Sequence, residues 1–272
     1  MISLVLTVLG IVVLLAASYT DFKKREVPDW ISYGFVFAAL GTRLLYSIYS
    51  RQINFFIFGL IGFAAMFLLA NILYYAKQWG GGDAKILMGM GAVFGLNIFD
   101  PSSYLVFGIF FALLIFIGAI YGIIFSIYLA VKNKSKFRKV FRSYLNGFRN
   151  LVWFAAVFFI VGILSLLNYS ELTFLLFAVS TIFFIGIFSF ILVKSVEDSC
   201  LFQKVKASQL TEGDWIAETV KFHGKTVVKE DNLGITKEQI AQLRHYKKPI
   251  LVKYGIPFIP AFLLAYMVLL WL

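Results

Sequence analysis

Long apolar runs separated by short polar segments dominate the chain. They occupy about 2–20, 30–50, 53–76, 84–98, 103–131, 151–168, 173–194 and 252–272. Most approach the roughly 20 residues that carry a helix across about 30 Å of hydrocarbon. The pattern predicts an all-α polytopic membrane protein with about eight transmembrane helices. The 84–98 run is short for a span, whereas 103–131 is long enough to tilt or to emerge into water. The first run leads into a charged segment without a small-residue cleavage site, so it reads as a retained helix rather than a signal peptide.

One stretch, Val196–Pro249, breaks this rhythm and predicts a small α+β segment before the last helix. Alternation through Trp215–Val228, broken at His223-Gly224, reads as two short strands and a turn. Thr236 and Gln239 have capping-box spacing, with Ile240 and Leu243 on one face of the helix that follows and Pro249 ending it. A piece this small is marginal as an independent core and is expected to lean on the membrane helices. The organisation read from the chain is a transmembrane core at 1–131, a basic loop with an additional span pair at 132–195, the small segment at 196–249 and a final span at 250–272. No internal repeat of the kind found in many transporters is visible.

Composition sharpens the class. Of 272 residues, 61% are hydrophobic and 14% charged, against about 25% charged in a soluble domain. Mean hydropathy is +0.86. A soluble enzyme is excluded, and the lipid bilayer is the expected surrounding. A single cysteine, Cys200, excludes an internal disulfide framework and a cysteine-built zinc site. The two histidines, His223 and His245, lie outside the apolar runs, so no metal centre and no cofactor is expected within the membrane.

The net charge of +11 could suggest nucleic acid, but its placement argues for orientation instead. Putting Phe22–Asp29 in the cytoplasm also puts 77–85, 132–150 and 194–253 there, and these four regions hold 23 of the 25 Lys and Arg residues. The positive-inside rule accounts for that asymmetry, so no nucleic-acid partner is expected. The remaining two are Arg51 and Arg43, which is expected to snorkel toward the outer end of its span.

Candidate chemistry rests on two carboxylates. Asp21 closes the first run in Ser18-Tyr19-Thr20-Asp21, and Asp83 opens the fourth in Gly80-Gly81-Gly82-Asp83-Ala84-Lys85. The first helix leaves the membrane on the cytoplasmic side and the fourth enters from it, so both acids come to one depth. Two close carboxylates in a partly desolvated setting cannot both ionise cheaply and are expected to share a proton. One can then activate water while the other polarises a peptide carbonyl. Gly80–Gly82 would let an extended substrate backbone approach, and a helical substrate must unwind before its peptide bonds can be attacked.

Taken singly, each residue has a plainer reading. Asp83 suits a helix N-cap, Gly80–Gly82 a tight loop, and Asp21 an interfacial anchor beside basic residues. Asp29 reads as the N-cap of the second span, Glu26 as a solvated charge, and the Phe-rich stretch holding Phe107, Phe110, Phe111 and Phe116 as packing or lipid-facing surface. The two acids on one side together with the glycine run favour catalysis. Pro257 and Pro260, in Gly255-Ile256-Pro257-Phe258-Ile259-Pro260, start the last span at the same depth and either open that helix or help shape a substrate cleft.

These residues resemble the prepilin peptidases and archaeal preflagellin peptidases, membrane aspartyl proteases with a GxGD motif. That motif matches Gly80-Gly81-Gly82-Asp83, followed by Ala84-Lys85, and the family's first aspartate matches Asp21, followed by a basic stretch and Pro28-Asp29. The likeness covers roughly 1–100 well, and the C-terminal stretch with its Gly-Ile-Pro-Phe-Ile-Pro segment looks like the archaeal branch. It implies catalysis by Asp21 and Asp83, with Gly80, Gly82, Lys85, Pro257 and Pro260 supporting the motif or cleft. The implied reaction is cleavage of short basic leaders from prepilin-like or preflagellin-like (archaellin) precursors at the cytoplasmic face of the cell membrane. The paired cysteines of the bacterial branch are missing, which implies peptidase activity without N-methylation. Two other classes remain in view: a proton-coupled transporter using Asp21 and Asp83 as a relay, and a non-enzymatic scaffold of a pilus machine. Transport coupling groups favour the bilayer midplane, however, and a scaffold needs no carboxylate pair.

Overall fold

The computed structural model describes residues 2–222, 224–230 and 234–272. Eight apolar helices account for the runs: α1 Ile2–Lys24, α2 Asp29–Ser50, α3 Asn54–Tyr75, α4 Gly81–Phe94, α5 Pro101–Lys132, α7 Arg149–Ser165, α8 Glu171–Val196 and α10 Ile259–Trp271. Among the described residues, six are long and apolar enough to cross a membrane, while α4 and α10 have only 14 and 13 residues. The chain is a multi-pass membrane protein, and a count of eight spans is approximate.

α4 is the hub of the bundle. It contacts α1, α2, α3 and α5, and α10 closes the ring against α1 and α5. Ile86, Leu87, Met90 and Ala92 are fully enclosed. Close approach of α3 and α4 depends on paired glycines: a Cβ on Gly91 would sit 2.4 Å from the Gly62 carbonyl oxygen. Small residues serve this purpose in membrane bundles, where backbones must meet to gain packing energy.

The short run at 84–98 has a physical cause. α4 stops at Phe94, and Gly95 turns the chain with φ +66. Arg43 does not snorkel. It is buried, and its guanidinium donates to the carbonyls of Ala92 (Nε, 2.7 Å), Val93 (Nη2, 2.7 Å) and Phe55 (Nη1, 3.0 Å). A cation thus satisfies backbone acceptors at a helix C-terminus inside the bundle, where an unmet carbonyl is costly.

The basic segment at 132–150 is not a loop. It folds as the amphipathic helix α6, Lys134–Gly147, which contacts α5, α7 and α8. Phe137, Val140, Phe141, Tyr144 and Phe148 recur at helical spacing and are half-buried, whereas Lys136, Arg138, Lys139 and Arg142 are exposed.

A π-helical turn, Glu197–Leu201, leads from α8 into the small unit. Its sheet has the antiparallel order β1 (Phe202–Val205), β5 (Ile250–Lys253), β2 (Trp215–Ile216). β3 (Val220–Phe222) and β4 (Lys225–Val228) form a separate hairpin, as the alternation predicts; its turn at His223 lies outside the described residues. The capping box forms at the start of α9 (Lys237–Gln242), with Thr236 Oγ1 accepting from the Gln239 N–H. β5 corrects the boundary drawn at 250. Ile250 and Val252 point into the small core at 0% exposure, and α10 begins only at Ile259. The unit leans on the α1–α2 connection, as its size requires: Thr211 hydrogen-bonds Glu26, and Arg25 lies over the Tyr254 ring.

Candidate active site

The two aspartates come from the ends of different helices. Asp21 occupies the last turn of α1, where the chain still needs a helix but a polar exit is near. Its side chain is buried, and Oδ2 accepts the backbone N–H of Ile259 at 2.9 Å. That amide opens α10, so the acid lies against the positive end of a helix dipole. Asp83 is the third residue of α4 and is half-buried. It is not the N-cap; Gly80 holds that place, and Asp83 Oδ2 accepts the Gly80 N–H at 3.2 Å. The two carboxylates are close enough for the charge of Asp21 to act on Asp83.

The supporting residues divide into two groups. Gly80 carries the amide that holds Asp83, and a Cβ on it would lie 3.3 Å from that carboxylate. Gly82 faces the α1–α2 connection, where a Cβ would meet Val27 at 3.3 Å. Pro257 and Pro260 are buried around the turn that presents Ile259, and Pro260 sits in the first turn of α10. What this turn offers Asp21 is an amide donor. Lys85 turns away from the acids: its Nζ pairs with Asp29 and lies 4.8 Å from the centre of the Tyr33 ring. Asp29 is accordingly the first residue of α2 rather than its cap, which is Pro28. The Lys85–Asp29 pair ties the starts of α2 and α4 together.

Several neighbours carry little or no signal in the sequence. Ile259 contributes through its backbone, 238 residues from Asp21. Ser18 Oγ and Tyr121 Oη are buried without hydrogen-bond partners among the described residues, and Tyr121 feels the charge of Asp21. Ser18 lies one turn before Asp21, a spacing that was available to the eye. Tyr121 lies in the middle of α5 with nothing to mark it. Trp79, just before the glycine run, packs against Phe258 and Phe262 at ring-centre distances of 5.8 and 5.4 Å. The Phe-rich stretch of α5 splits between packing and lipid: Phe110 is enclosed, while Phe116 is 66% exposed.

Residues 8–127 match the Type IV leader peptidase family, and both aspartates fall within that span. Three preflagellin peptidases are similar to the chain. That of Methanococcus maripaludis (strain C6) is 32% identical over 155 residues, covering 52% of this chain and 60% of the relative. That of Methanococcus voltae is 32% identical over 134 residues, covering 47% and 57% respectively. That of Methanocaldococcus jannaschii is 33% identical over 86 residues, covering 32% and 36%. The chain therefore spans at most about three fifths of the length of these relatives. No solved structure matches it.

Proposed function

From the match of residues 8–127 to the Type IV leader peptidase family, we propose that the chain is a membrane-embedded aspartic endopeptidase that removes leader peptides from preflagellin-like or prepilin-like precursors. The observation that carries this reading is the convergence of two carboxylates from separate, contacting helices, Asp21 in the last turn of α1 and Asp83 in the first turn of α4. Neither residue needs the other for packing, and a fold gains nothing by bringing two acids together.

One carboxyl takes a proton from water, and the oxygen so activated attacks the scissile carbonyl carbon. The other carboxyl gives its proton to the carbonyl oxygen. As the tetrahedral intermediate collapses, the acid formed in the first step protonates the leaving amide nitrogen, and the second carboxylate takes back a proton from a hydroxyl of the intermediate as the new carbonyl forms, which restores the pair. The Ile259 N–H engages Oδ2 of Asp21 and fixes the orientation of its carboxylate. The hydroxyls of Ser18 and Tyr121 are available to orient the water or the carbonyl. These steps need no metal or organic cofactor. The basic asymmetry supports a cytoplasmic position for this end, where a short basic leader would remain while the following apolar helix lies in lipid. A relay for proton-coupled transport would call for acids at mid-span, whereas Asp21 ends α1 and Asp83 begins α4.

The test is to incubate detergent-solubilised protein with a preflagellin precursor and to read the new N-terminus by mass spectrometry. A single cut between the basic leader and the apolar helix is expected; an intact precursor after prolonged incubation with folded enzyme contradicts the proposal.

A further inference from the structure

α6 joins the ends of two long apolar helices, α5 and α7, and therefore lies at a membrane interface. It is firmly seated. Phe137 stacks on Phe141 at 5.2 Å, Phe148 meets Phe190 of α8 edge-on at 5.9 Å, and Tyr144 Oη donates to Asp198 at 2.5 Å. Five basic residues and no acidic one occupy Lys134–Gly147. Such a helix lies in the plane of the interface, with its apolar face toward the acyl region and its charges toward headgroups.

Beside it runs a groove of about 450 Å³ between the end of α5, α6 and α8. Its wall is apolar, from Ile127, Val131 and Leu192, and its rim carries Lys134 and Arg138, one helical turn apart. Both cations are exposed, and neither joins an ion pair among the described residues. We propose that this groove binds an anionic phospholipid, with an acyl chain along the α5–α8 wall and the phosphate between Lys134 and Arg138. The two features together select the occupant. A soluble anion would leave the apolar wall bare, a zwitterionic lipid would bring a third cation beside Lys134 and Arg138 along with its phosphate, and a basic leader peptide would be repelled. Apart from Ile127 the named groove residues lie beyond the 8–127 match, and none of them belongs to the candidate active site, so the proposal does not depend on the peptidase reading.

The experiment uses the full chain in mixed micelles holding equal amounts of phosphatidylglycerol and phosphatidylcholine, with retained lipid counted by native mass spectrometry. Phosphatidylglycerol is expected to be retained about tenfold over phosphatidylcholine, and Lys134→Gln/Arg138→Gln to bring the two level. Lys136→Gln/Lys139→Gln removes the same charge away from the groove and is expected to leave the preference intact; both variants alter exposed side chains, and matching melting curves establish that they fold. Excess inorganic phosphate is expected not to displace the lipid. Equal retention of the two lipids by the unaltered protein overturns the proposal. So does equal loss in both double variants, displacement by phosphate alone, or a groove variant that changes the oligomeric mass, which would mean a second copy covers the site.

Discussion

α4 and α8 belong to one membrane protein, yet α4 is enclosed by its neighbours and α8 is left largely exposed. α4 has 14 residues, eight of them buried, and polar groups gather at both its ends: Asp83 and Gly80 at one, Arg43 on its last carbonyls at the other. α8 has 26 residues, is apolar almost throughout, and buries only Ser180, Ile191, Ser195 and Val196. Its Ile182 is 71% exposed and Leu172 74%. Apolar length therefore marks the helices that meet lipid, and a shortfall in length marks the helix around which the site is built. α4 can be short because other helices, rather than water or lipid, surround its ends.

This contrast can be broken from the α4 side first. Arg43→Met leaves the carbonyls of Ala92 and Val93, at the end of α4, unmet in an apolar interior, and is expected to cost about 3 kcal/mol of stability. A melting curve in detergent that matches the parent would remove Arg43 from this role. Gly91→Ala forces a Cβ to 2.4 Å from the Gly62 oxygen, which the backbone of α3 cannot yield without moving, and about 2 kcal/mol is expected. An unchanged melting point would show that α3 and α4 can separate freely.

Smaller effects sharpen the comparison at the site and on α8. Tyr121→Phe removes only a hydroxyl that has no partner among the described residues, so stability should hold while kcat falls about three- to tenfold, the worth of one hydrogen bond. Equal turnover would make Tyr121 a packing residue. On α8, Ile182→Ala exchanges lipid contacts for lipid contacts and should change stability by less than about 0.5 kcal/mol. A loss several times larger would mean that this face of α8 is covered by protein.

What the sequence revealed follows the same division. Span positions were legible because a lipid-facing helix declares itself residue by residue. The convergence of Asp21 and Asp83 was legible from topology alone, since the basic segments fix which helix ends share a side. Contacts between distant segments were not. Arg43 looks like a snorkelling cation until its carbonyl partners 49 and 50 residues away are in view. β5 hides because Ile250-Leu251-Val252 continues into apolar sequence and imitates the start of a span. The donor to Asp21 is a backbone N–H, which any residue supplies and none advertises.

The central claim is that Asp21 and Asp83 act as a proton-transferring pair. Cleavage of a preflagellin precursor by Asp21→Asn and by Asp83→Asn, each compared with the parent at matched melting temperature, tests it most directly. Asparagine keeps the carbonyl oxygen that can accept from Ile259 or Gly80, so a purely structural aspartate would tolerate the exchange. The account predicts that each variant folds and loses cleavage by about a hundredfold or more. Near-normal turnover by either folded variant would contradict it.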